Sequence, residues 1–115
     1  MKVYVAIKSG WFDTGMEYDR WEDEQQLIFL SKDKAIKYCE SITNDELIDY
    51  VGGRLEPWYV TREHVWTEEE VNRYNSDHTG RSYVYGKELD MGDDLEQPGW
   101  TGGALLIVIE KEVIE

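Results

Sequence analysis

Ala104-Leu105-Leu106-Ile107-Val108-Ile109 is apolar at every position, and Glu110-Lys111-Glu112-Val113-Ile114 follows it. Successive side chains of a strand point to opposite faces. A strand with one wet face alternates apolar and polar residues, so a run without alternation reads as a strand buried on both faces. Residues 104–114 are therefore predicted to form the central strand of a sheet. The apolar run is far shorter than the ~20 residues a helix needs to cross a bilayer.

A central strand needs neighbours, and the rest of the chain supplies candidates. Val3, Val5 and Ile7 alternate with Lys2, Tyr4, Ala6 and Lys8, which predicts a first strand, broken at Ser9-Gly10. Residues 11–24 mix Trp11, Phe12, Tyr18 and Trp21 with carboxylates and read as a long loop or a ragged hairpin arm. Gln26 to Leu30 is a second strand. Leu55 to Val60 is another, and Pro57, which has no N–H to give to a ladder, places it at a sheet edge. Ser82 to Tyr85 is a short strand. Residues 86–103, with Gly86, Gly92, Pro98, Gly99, Gly102 and Gly103, read as a long surface loop.

Helices are signalled by their caps. Ser31 precedes Lys32-Asp33, and its hydroxyl can accept an N–H of the first turn. Ala35, Tyr38, Cys39 and Ile42 then fall on one inward face. Asp45 to Val51 forms a further turn or two, closed by Gly52-Gly53. Thr67-Glu68-Glu69-Glu70 is a capping box that opens a third short helix through Val71 and Tyr74. With no repeat and no dividing linker, residues 1–115 are expected to form one α+β domain. Its sheet is mainly antiparallel, with two or three short helices on one face.

The 115 residues carry 12 Lys and Arg against 25 Asp and Glu, a net charge of −13. Such a field repels nucleic acid and anionic membrane and draws basic surfaces. Five Trp, eight Tyr and two Phe argue for a packed core rather than disorder. Two stretches concentrate the acid: Glu17, Asp19, Glu22, Asp23 and Glu24 against Arg20, and Glu88, Asp90, Asp93, Asp94 and Glu96 with no base among them. The N-terminal apolar run is short and alternating, unlike a signal or transit peptide. One cysteine allows no internal disulfide, and the chain is expected in the cytoplasm.

Residue types that carry chemistry are present without the spacing that chemistry needs. Cys39 lies on the apolar face of its helix, where a thiol is inert rather than nucleophilic. His64 and His78 are the only histidines and form no zinc-ligand pattern. Asp90-Met91-Gly92-Asp93-Asp94-Leu95-Glu96 lacks the alternation of a calcium loop, so no metal and no cofactor is expected. Gly99-Trp100-Thr101-Gly102-Gly103 precedes a strand rather than a helix and is no phosphate cradle. Trp58 and Trp66 read as core. Trp11, Tyr18, Trp21 and Trp100 lie among the acids and read equally as core or as interface anchors.

Met1-Lys2-Val3-Tyr4-Val5, the strand at Leu27 to Leu30 and the helix opening Ser31-Lys32-Asp33-Lys34-Ala35-Ile36-Lys37-Tyr38 resemble small uncharacterised acidic proteins of phages and prophages. In these a short strand, an acidic hairpin, a second strand and a helix opening S-x-x-K-A recur. The resemblance covers about the first 42 residues and carries over no catalytic residue. It implies a mobile-element origin and action by occupying a host protein.

These readings converge on a non-enzymatic binding protein. Its acidic, aromatic surface would occupy a basic, nucleic-acid-binding site of a host or cellular protein, without direct contact to nucleic acid or membrane. The residues expected to carry it are Glu22, Asp23, Glu24, Asp90, Asp93 and Asp94 as charge, with Trp21 and Trp100 as anchors. Two other readings stay open. One is a small hydrolase using carboxylates with His64 or a divalent ion. The other is a homo-oligomeric module, a homodimer for instance, in which Ala104 to Ile109 and the edge strand at Trp58 pair between chains.

Overall fold

The computed structural model describes residues 1–13, 15–52, 58–77, 80–93 and 101–114. The described residues form an α+β domain of six antiparallel strands and three helices. Strand β6 (Thr101–Glu112) lies between β1 (Lys2–Asp13) and β5 (Ser82–Asp93). Next to β5 comes β4 (Trp58–Val65) at one edge, and the outer side of β1 is shared by β2 (Tyr18–Glu22) and β3 (Leu27–Phe29). The apolar run is thus central, as its composition predicts: Leu106, Ile107, Val108 and Ile109 are all at most 2% exposed. Both of its edges are filled, by β1 from Lys2↔Glu112 to Asp13↔Thr101 and by β5 from Ser82↔Glu110 to Gly92↔Thr101. Ala104 to Ile109 thus has both edges paired within the chain. The strand containing Trp58 does lie at an edge.

Strand lengths depart from expectation. Ser9-Gly10 does not end β1: Ser9 pairs with Leu105 and Gly10 with Ala104, and the same two residues pair with Glu22 and Trp21 across the other edge. Of the two readings of residues 11–24, the hairpin arm is the one found, at Tyr18–Glu22. Strand β4 runs on past Val60 to Val65, with an irregularity between Val60 and Arg62. The larger correction concerns residues 86–103. Much of that glycine-rich stretch is strand, because its glycines make room for rings. A Cβ on Gly86 would lie 2.1 Å from Trp66, and one on Gly103 would lie 2.1 Å from the Trp11 Nε1.

Helices α1 (Lys32–Ser41) and α2 (Asn44–Gly52) share one face of the sheet. There Ala35, Cys39, Ile42, Leu47 and Val51 pack on Ala6, Leu89, Met91, Ala104, Leu106 and Val108. Truncating one such fully buried side chain, Leu47 or Leu89, costs on the order of 2–5 kcal/mol. The Ser31 hydroxyl accepts the Lys34 N–H at 3.4 Å, as its position before the helix predicts. Helix α3 (Glu68–Asp77) covers the opposite face at one end only, where Val71 and Tyr74 join Trp66 over Val5, Ile7, Ile107 and Ile109. Its capping box is formed in both directions: Thr67 Oγ1 accepts the Glu70 N–H at 3.3 Å and Glu70 Oε1 accepts the Thr67 N–H at 3.0 Å. Among the described residues, no helix is long and apolar enough to cross a membrane.

Candidate binding cleft

Residues directly opposite one another on paired strands present their side chains to the same face. The register therefore sorts the α3 face into rows. Val5, Ile109 and Tyr83 form one row, and Ile7, Ile107 and Gly86 the next. The Trp66 indole lies over Gly86, stacks on Tyr74 at 4.2 Å and 11°, and helps close these two rows. The following row is Glu22, Ser9, Leu105, Glu88 and His64, and the one after it is Arg20, Trp11, Gly103, Asp90 and Arg62. Here the face opens into a cleft of about 340 Å³.

One wall of the cleft is aromatic. Trp11 lies over Gly103, and its ring stacks with Tyr18 at 6.5 Å and 26°. The floor is Leu105 and Ser9, whose hydroxyl donates to the Leu105 carbonyl at 3.4 Å. The opposite wall is acidic, formed by Glu88 and Asp90, and Arg62 Nη1 sits 3.2 Å from Glu88 Oε2 and 3.7 Å from Asp90 Oδ2. The Tyr74 hydroxyl donates to Glu88 Oε1 at 3.4 Å, and burial together with the Glu88 charge pushes its pKa up. Beside Glu88, His64 Nε2 and Glu70 Oε1 are 2.6 Å apart. The Thr67 N–H and His64 hold the Glu70 carboxyl down at about 2.

The residues expected to carry binding are dispersed by the fold. Asp90 lines the cleft. Glu22 is on the same face but is taken by a two-bond contact with Arg81, at 2.8 and 3.1 Å, which lowers its pKa. Asp23 faces Lys8 at 3.8 Å and accepts the Gln25 N–H at 3.0 Å. Glu24 is exposed. Trp21 is opposite Gly10, on the other face, where it packs half-buried against Tyr50 with ring centroids 6.1 Å apart. Asp94, Trp100 and the side chain of Asp93 lie outside the described residues, as does the ring of Trp58. Trp11, Tyr18 and Glu88 join Asp90 in the cleft. Trp11 is two residues from Ser9 and Glu88 two from Asp90, spacings that mark a shared face only once β1 is carried past Ser9-Gly10 and 86–93 is read as strand.

Of the other chemical candidates, His78 lies outside the described residues, and Cys39 and His64 are accounted for by packing and bonding. Cys39 is fully buried on the α1 and α2 side, where burial raises its thiol to about 11. His64 is half-buried and bound to Glu70. Among the described residues, no three of His, Cys, Asp and Glu are grouped to hold a metal ion. Compared with family models, with curated proteins and with solved structures, the chain matches none.

Proposed function

We propose that this chain is a non-enzymatic binding protein and that the open end of the α3 face is its contact surface for a protein with a basic patch. The observation that carries the reading is the pairing of an exposed aromatic wall with carboxylates in one cleft, on a chain of net charge −13. Tyr and Trp give contact area at low entropic cost, and surrounding acid steers a basic partner to them. Among the described residues, the sheet face beyond α3 is left uncovered, the kind of surface such contacts use. Nucleophile chemistry finds little support in the buried Cys39 thiol or in the Ser9 hydroxyl, which donates to the Leu105 carbonyl. A protein groove that normally holds phosphates is the fitting target, because carboxylates answer to the same cationic residues.

The test is capture of partner proteins at low and high salt by wild type and by two charge-matched double variants. Glu88→Gln with Asp90→Asn removes the cleft acids. Glu40→Gln with Asp49→Asn removes two exposed acids from α1 and α2, on the other face. A basic partner lost with the first pair and kept with the second supports the reading. A partner that ignores both pairs, or is lost equally with each, refutes this surface.

A further inference from the structure

We infer that the cleft is a receptor for a single arginine side chain of the partner, and that in the free protein Arg62, reaching in from beside the cleft, occupies the carboxylates this guanidinium would take. This rests on the binding reading above. The carboxylates already accept a guanidinium: one nitrogen of Arg62 reaches both Glu88, at 3.2 Å, and Asp90, at 3.7 Å. Arg62 comes from the edge strand β4 and its side chain is 54% exposed, so water screens the contact and holds it weakly. On the opposite wall, Trp11 and Tyr18 present stacked rings, and Tyr18 is 62% exposed. A planar cation entering from solvent meets π-faces on one side and two carboxylates on the other. Arginine fits that pair of walls better than lysine, because a guanidinium stacks flat on rings and donates two parallel bonds to carboxylates. A cleft of about 340 Å³ holds one such side chain and leaves the rest of the partner on the rim.

Arg62 then acts as a competitor that the incoming arginine must move. Arg20, which lines the cleft itself, is an exposed cation on the ring side and opposes entry by charge alone. Removing either cation should therefore tighten binding, with Arg62 the stronger effect. Loss of one positive charge elsewhere on the molecule should do much less.

The experiment titrates the full chain with two capped peptides, Gly-Arg-Gly-Arg-Gly and Gly-Lys-Gly-Lys-Gly. The readout is the indole N–H resonance of Trp11, assigned by its disappearance in Trp11→Phe. The arginine peptide is expected to move that resonance and to bind several-fold tighter than the lysine peptide. Arg62→Gln should tighten it by about threefold, the worth of an exposed ion pair. Lys37→Gln, the same charge change on an exposed position of α1, should leave it within error. Glu88→Gln with Asp90→Asn should weaken it by about tenfold. Asp90→Asn alone serves if the double variant loses the dispersed amide spectrum of the wild type.

Weaker binding in Arg62→Gln, or an effect no larger than that of Lys37→Gln, overturns the inference. Loss of binding in Arg20→Gln does the same, because it would mean that the cleft holds an anion. Equal binding of both peptides, each moving the Trp11 resonance at the same concentrations, overturns the arginine receptor and leaves the general acidic surface standing. No binding of either peptide removes both readings together.

Discussion

Gly86 and Gly103 sit inside strands, where glycine weakens a ladder unless something needs the missing Cβ. Here two indoles need it: Trp66 over Gly86 and Trp11 over Gly103. Gly86→Ala should push Trp66 off Tyr74 and cost about 1–3 kcal/mol in urea unfolding, the usual penalty of overpacking. A loss under a few tenths of a kcal/mol would mean that the ring is not held there. Cys39 gives a second test at this scale. With its thiol buried and raised to about 11, native protein at pH 8 should resist thiol-labelling reagents and react only after unfolding. Rapid labelling of the folded chain would contradict the packing of α1 on the sheet. Cys39 is legible in the sequence because helix periodicity alone puts it among apolar residues. The purpose of Gly86 and Gly103 is not, because the rings they admit come from residues 66 and 11, far along the chain.

At the scale of elements, α3 depends on its cap more than on its own apolar residues, none of which is fully buried. Glu70 is the hinge of that arrangement, bonded at once to the Thr67 N–H and to His64. Its pKa is depressed from 4.5 to about 2, so its contribution to stability is present above about 4.5 and is lost as pH falls through about 2. Glu70→Gln keeps a side chain able to complete the capping box but removes the charge. The difference in urea midpoint between wild type and variant should therefore be largest at neutral pH and shrink between pH 4.5 and 2. A constant difference over that range would show that the charge plays no part. The capping box at Thr67 and the N-cap at Ser31 are readable from the sequence, since a cap acts within four residues. The ends of β4 and β5 are not, because a strand ends where its partner ends.

For the whole molecule, the dominant facts are charge and shape. Three strands of 12 residues lie side by side, and the molecule measures 53 by 27 by 24 Å. The helices cover one face and only one end of the other. A net charge of −13 acts far from this surface, across ~30 Å at 0.01 M salt but only ~10 Å at 0.1 M. The association rate of the arginine peptide should fall steeply over that range while its dissociation rate changes little, as stopped-flow fluorescence would show. An association rate indifferent to salt would rule out steering by the overall charge. The sequence alone determined this field, the α+β class, the central place of residues 104–109 and the caps of the helices. All of these depend on composition or on neighbours within a few residues. Tertiary structure decided the cleft, because Trp11, Tyr18, Glu88 and Asp90 share a face only through the register of β1, β6 and β5. It also decided which acids are spoken for, turning Glu22 to Arg81 and Trp21 to the opposite core. Register is set by pairing between distant segments, and a shift of one residue would have reversed every face.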